Sequence, residues 1–199
     1  KAFPGRVLGF EPSVGFVNEA RARVGAYDNV EFEVADGASL PVDDGAVDIL
    51  IMHTVLTHVK NPAPLLIEAH RVLKPDGHLV VCDADLSKAS LGNMPNDPLD
   101  ACAKMFVNEF VTDPHAVAKL QGLATEAGFA VEDFSFQSRS VLDNDQMLPW
   151  VEETGKVLMK RGEIGKDLHN GLVAEYRRRA AEGTLYGYQV FATLIAKRP

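Results

Sequence analysis

Several residues able to do chemistry stand where short apolar runs stop. "RVLGFE" ends on Glu11, "VEFEVAD" on Asp36, "AVDILIM" runs into His53 and Thr54, and "HLVVCDAD" closes on Asp83 and Asp85. Ligands of open α/β sheets bind outside the carboxyl ends of the strands, and a carboxylate there can accept both hydroxyls of a ribose. Gathered at one edge, such groups could instead hold a cation or read amino groups. Each also has a plainer use: Glu11 could cap its strand, and Asp36 could close an Asx-turn before Gly37. His53 could transfer a proton or only hydrogen-bond its surroundings. A metal cage is the weaker reading of "VADGASLPVDDGAVDILIMH". Its aspartates share neither one face nor one loop, and no His–carboxylate spacing supports a site, so no metal ligand is assigned. Asp43 and Asp44 fit the turn "LPVDDGA".

These positions need a sheet to hold them. "RVLGFE" (6–11), "VEFEVAD" (30–36), "AVDILIM" (46–52) and "HLVVCDAD" read as strands. Ser13 caps a helix over "VGFVNEARARV" that stops at Gly25, and Asn61–Pro62 opens a second, which Pro75–Asp76–Gly77 ends. Alternation with short connections predicts βαβ units and a parallel sheet. The later half predicts helices over 97–111 and 113–128, a strand over 129–141, two more helical patterns, and a last strand in "TLYGYQVFATLIAKR". Residues 1–199 read as one domain, with 142–184 as a helical cover inserted over a site.

A net charge of −8 argues against a nucleic-acid groove, and "YRRRAAEG" reads as a solvated helix face. Two cysteines make neither a disulfide framework nor a four-thiolate site. No run of about 18 apolar residues marks a membrane span, and a reducing cytoplasm is the expected compartment.

In order and spacing, "FEPSVGF", "VADGASLPVDDGAVDIL", "HTVLTHVKNP" and "RVLKPDGHLVV" resemble the class I S-adenosylmethionine-dependent methyltransferases, nearest to their small-molecule, type 11 branch. Residues 5 to 85 and the final strand carry the resemblance. It implies a Rossmann-like, doubly wound, mostly parallel sheet of strand order 3-2-1-4-5-7-6, with helical insertions in the C-terminal half. It implies S-adenosylmethionine as cofactor and S-adenosylhomocysteine as product. Glu11 would bind the ribose hydroxyls, and Pro12 and Phe16 would pack on the adenine. Asp36 would accept from the adenine amino group, with Gly37 and Ala38 offering backbone contacts. His53, Thr54 and His58 would stand near the methionine part. The family's first strand and glycine-rich loop are absent from the sequence, whose "KAFPGRVLGFE" resembles the approach to the second strand; an upstream segment is expected to supply them.

The reaction implied is in-line transfer of a methyl group to a small-molecule acceptor, with His53 as the base if one is used. Phe106, Phe110, Trp150 and Tyr186, with Met147 and Tyr188, could wall the acceptor pocket. A homodimer is admissible. One rival is a cofactor-free or degenerate interaction subunit of the same fold. An NAD-dependent dehydrogenase suits Glu11 alone and has no account of "ADGASLPVDDGAVD" or "RVLKPDG".

Overall fold

The computed structural model describes residues 5–25 and 27–199, so the first four residues of "KAFPGRVLGFE" lie outside the described residues. β1 (Val7–Glu11), α1 (Val14–Val24) and β2 (Val30–Val34) form one βαβ unit. β3 (Val47–His53), α2 (Ala63–Val72) and β4 (Leu73–Ala84) form another. The short β5 (Ser90–Leu91), α3 (Pro98–Phe110), α4 (Ala116–Glu126) and β6 (Ala130–Val141) follow. The helices α5 (Leu148–Arg161) and α6 (Lys166–Ala181) then precede β7 (Gly187–Lys197).

β1 pairs with β2 in parallel, Val7 opposite Val30 through Glu11 opposite Val34. β3 and β4 are likewise parallel, while β7 runs antiparallel to β4 on one edge and to β6 on the other. The strands therefore stand as β2-β1 and β3-β4-β7-β6, with β5 continuing the β4 edge along β7. This is an α/β fold with a mixed sheet, as expected of the Rossmann-like class. Among the described residues, β1 and β3 each keep one edge without a strand partner.

The helix α2 stops at Val72 and Leu73 is already paired, so "KPDG" does not separate helix from strand as its turn composition suggested. It forms a bulge inside β4: Val47 faces Leu73, but Ile49 faces His78. Asp76 takes a left-handed φ of 64° there, its side chain 2.7 Å from Lys197 Nζ. Gly77 leaves no room for a side chain, since a Cβ would come within 2.9 Å of the Lys74 carbonyl.

Two larger cores lie on the sheet, beside a small cluster of Ala84, Leu86 and Val107. In parallel strands, laterally paired residues share a face. Leu50 and Met52 thus lie with Leu79 and Val81 under α2 and α4, where Leu66, Leu120 and Leu194 are buried. The opposite face of β3 presents Ile49 and Ile51, the latter 67% exposed. A second core joins Leu91, Leu99, Met147, Val151 and Tyr176 from α3, α5, α6 and their neighbours. Met147, a predicted pocket wall, is fully buried in it, and its amide donates to the Tyr176 hydroxyl at 3.2 Å.

The "YRRR" cluster is only partly a solvated face. Arg177 and Arg178 are exposed and pair with Glu152 and Glu175, but Arg179 is 6% exposed. Arg179 Nη1 donates to Asp97 Oδ2 at 2.6 Å and Nε to Glu175 at 2.7 Å. Asp97 is buried too, caps α3 through the Leu99 amide at 3.0 Å, and accepts from Asn93 N at 2.9 Å. Burial pushes the Asp97 carboxyl up, yet Arg179 and the two amides outweigh it and leave it below the ordinary range. Arg178 and Arg179 hold Glu175 at about 2.

Carboxylates held low when folded stabilise above their unfolded pKa and lose that contribution as pH falls. Stability is therefore expected to decline from about pH 4.5 towards the value of about 2 held by Glu175. Arg179→Ala should cost about 3–5 kcal/mol at neutral pH by leaving Asp97 buried without its partner, and should flatten the acid limb. Urea midpoints at pH 7 and pH 3 check both.

Candidate active site

The parallel register brings the first two predicted carboxylates together. Glu11 faces Val34, and the ladder runs one step further, with Ala35 N donating to Glu11 O at 3.3 Å. Strands lie about 4.8 Å apart and rise about 3.3 Å per residue, so the Glu11 and Asp36 backbones stand roughly 8 Å apart on one edge. Gly9 leaves room for the Phe32 ring, which lies 2.3 Å from where a Cβ would be.

Each carboxylate spends one oxygen on its own turn. Glu11 Oε1 accepts from Ser13 N at 3.0 Å, and Ser13 caps α1 by accepting from Phe16 N at 3.4 Å. Asp36 Oδ1 accepts from Ala38 N at 3.0 Å, closing the Asx-turn. The Ala38 amide is thereby engaged within the chain. Among the described residues, Glu11 Oε2 and Asp36 Oδ2 have no hydrogen-bond partner. Pro12 is exposed beside them, and Phe16, in the first turn of α1, is 65% exposed. Two open acceptors and an apolar ring around one edge can read hydroxyls, an amino group and a flat base.

The loop after Asp36 is tied to the second βαβ unit. Gly37 packs against Leu65 of α2, and Leu40 N donates to Glu68 at 2.7 Å. Arg71 grips both oxygens of Glu68, at 2.8 and 2.6 Å, and the Leu40 carbonyl at 3.2 Å. The Arg71 guanidinium holds Glu68 below the usual carboxylate range.

At the end of β3, Thr54 has φ 55°. A β-branched side chain pays sterically in the left-handed region, and such outliers cluster at functional sites. Its amide donates to Cys82 O at 2.8 Å, and its Oγ1 lies 2.7 Å from His53 Nδ1. His53 can act as a base at Nε2 only in the tautomer whose Nδ1–H donates to Thr54. His58 is exposed, and its carbonyl accepts from Thr112 Oγ1 at 3.1 Å.

Asp83 holds this turn from below, a role the strand-end pattern did not reveal. Its buried carboxylate accepts from Leu56 N at 2.8 Å, Thr57 N at 3.3 Å, Thr57 Oγ1 at 3.0 Å and Ala84 N at 2.8 Å. Asp85 instead accepts from Ser87. Among the described residues no group of three or more His, Cys, Asp or Glu could hold a metal ion, and no helix is long and apolar enough to cross a membrane.

Three of the four predicted acceptor-side aromatics come together. Phe106 stacks on Trp150, centroids 4.8 Å apart and planes within 6°, and touches Phe110 at 4.8 Å. Among the described residues Tyr186 makes no ring contact with them. Phe191 faces Ala84 at the end of β4, and Tyr186 precedes it by five residues, roughly 17 Å along an extended chain. Tyr188, opposite Ser90 and Ser140, lies on the same outer stretch.

Residues 1–81 match the family described as a methyltransferase domain. A 37.1 kDa protein of Streptomyces fradiae, encoded in a transposon, is 35% identical over 64% of this chain and 37% of its own length. A candidate S-adenosylmethionine-dependent methyltransferase of Mycolicibacterium smegmatis is 32% identical over 64% of this chain and 45% of its own length. The chain thus spans less than half of either relative. The crystal structure of a candidate methyltransferase from Bacillus halodurans superposes with a TM-score of 0.62 at 18% identity, covering 98% of this chain and 83% of that one.

Asp83→Asn would turn an amide NH₂ toward donors and leave buried N–H groups unmatched. The expected loss is about 1–3 kcal/mol, read as a lower urea midpoint with an unchanged slope.

Proposed function

We propose that this chain, a member of the class I S-adenosylmethionine-dependent methyltransferases, binds S-adenosylmethionine across the ends of β1 and β2 and passes its methyl group to a small-molecule acceptor. The observation that carries the reading is the side-by-side placement of Glu11 and Asp36, each with one unpartnered oxygen on the same edge.

In this reading Glu11 Oε2 accepts the ribose hydroxyls and Asp36 Oδ2 accepts from the adenine amino group. Phe16 and Pro12 cover the ring, and Gly37 lets the backbone pass close to it. The bound cofactor supplies a methyl group activated on a sulfonium. The chain's own contribution is position and exclusion of water, and correct orientation alone can be worth about 7–11 kcal/mol. His53, on the Thr54 turn that Asp83 fixes, would stand by the methionine part of the cofactor. His53 Nε2 takes a proton from acceptors that must lose one, a step worth about 10²–10⁴-fold. Phe106, Phe110 and Trp150 form the apolar side of the acceptor site, with α5 and α6 as its cover.

Calorimetric titration with S-adenosylhomocysteine and with NAD tests the proposal. Binding of the former and none of the latter is expected. Glu11→Ala and Asp36→Ala should each weaken it about ten- to a hundredfold, the scale of a hydrogen bond to a charged group. Tight NAD binding, or a nucleoside affinity untouched by both substitutions, would sink the reading.

A further inference from the structure

The geometry points to an acceptor with a planar apolar body and a carboxylate, the ring lying on the Phe106–Trp150 shelf and the carboxylate on Arg139. The inference rests on the methyl-transfer reading and adds the chemical class of the acceptor.

A line of rings runs from α3 through α5 to β7. It begins at Phe110, 41% exposed and two residues before Thr112, whose hydroxyl donates to the His58 carbonyl. From Phe110 it passes to Phe106 and then to Trp150, each step 4.8 Å between centroids. Trp150 packs into the small cluster of Ala84, Leu86 and Val107 that also holds Phe191. Over the Phe191 ring, 5.2 Å from its centroid, lies the Arg139 guanidinium.

Register puts the Phe191 end of this line on the His53 face of the sheet. Residues directly opposite in paired strands share a face. His53 faces Cys82, Cys82 faces Thr193, and two residues further along β7 Phe191 faces both Ala84 and Gln137. Arg139, opposite Gln189, continues that face along β6. Phe191 and the cation thus share the sheet face of His53, two and three strands away from it.

Arg139 is also distinctive in charge. Arg6, Arg23, Arg71, Arg161, Arg177, Arg178 and Arg179 each pair with a carboxylate, while Arg21 and Arg198 donate to backbone carbonyls. Among the described residues Arg139 alone of the arginines has neither. In a protein of net charge −8, a guanidinium resting on one aromatic face keeps its N–H edge for a planar anion, which it can meet with two parallel hydrogen bonds.

Trp150 is the chain's one tryptophan, so its emission reports on this shelf alone. The test titrates the protein with 4-hydroxybenzoate and with its neutral amide, following that emission, in the presence of S-adenosylhomocysteine. The carboxylate is expected to bind at least tenfold tighter than the amide, with the gap closing as salt rises. Arg139→Gln should bring the two to equal affinity, and Arg139→Lys should restore part of the difference. Equal affinities in the unaltered protein, a preference that survives Arg139→Gln, or no response of Trp150 to either compound overturns the inference. Calorimetry with S-adenosylhomocysteine on the same samples keeps the two readings separate. Nucleoside binding without a carboxylate preference overturns only the acceptor class. A preference without nucleoside binding upholds the anion site and overturns methyl transfer.

Discussion

Parallel strands cannot be joined by a tight hairpin, so each chain reversal must be made outside the sheet and helices must carry the chain back. In this protein that constraint sends the ends of β1, β2, β3 and β4 to common edges, and the loops leaving those ends hold the polar groups of the site. The absence of a side chain at Gly9 lets the Phe32 ring lie over the neighbouring strand within the first pair.

The carboxylates divide by what they face. Asp83 and Asp97 are buried and saturated with donors from the chain itself, and each fixes a segment: the Thr54–Thr57 turn in one case, the start of α3 against α6 in the other. Glu11 and Asp36 each give one oxygen to local turn geometry and keep the other for solvent. Glu68 belongs to the first kind, tying the loop after β2 to α2 through Arg71 and so holding one βαβ unit against the other. A network of this sort lets the outward-facing groups be few and still be well placed, because their supports are locked.

The local parts of this arrangement were legible in the sequence. Ser13, Pro62 and the Asp97–Pro98 pair act within a turn or two of themselves, and strand periodicity placed β1 to β4 within a residue or two, apart from the bulge. The misses are all cases in which the partner is remote. Asp83 reads as one more strand-end acid until Leu56 and Thr57, more than twenty residues earlier, are folded onto it. Arg179 reads as a solvated base because Asp97 is 82 residues away. The aromatics likewise could be sorted only once folded: Phe106, Phe110 and Trp150 touch one another, and among the described residues Tyr186 makes no ring contact with them. "KPDG" has the composition of a helix terminator, and only the paired Leu73 shows that the strand had already begun.

The position of β7 has a bearing on how the molecule is made. It lies between β4 and β6, also holds β5, and follows all three along the chain. During vectorial synthesis those strands emerge with their mating edges open and stay so until residues 187–197 clear the ribosome. The apolar stretch of β4 is the exposed liability in that interval, and a chaperone able to shield a strand edge would act there first.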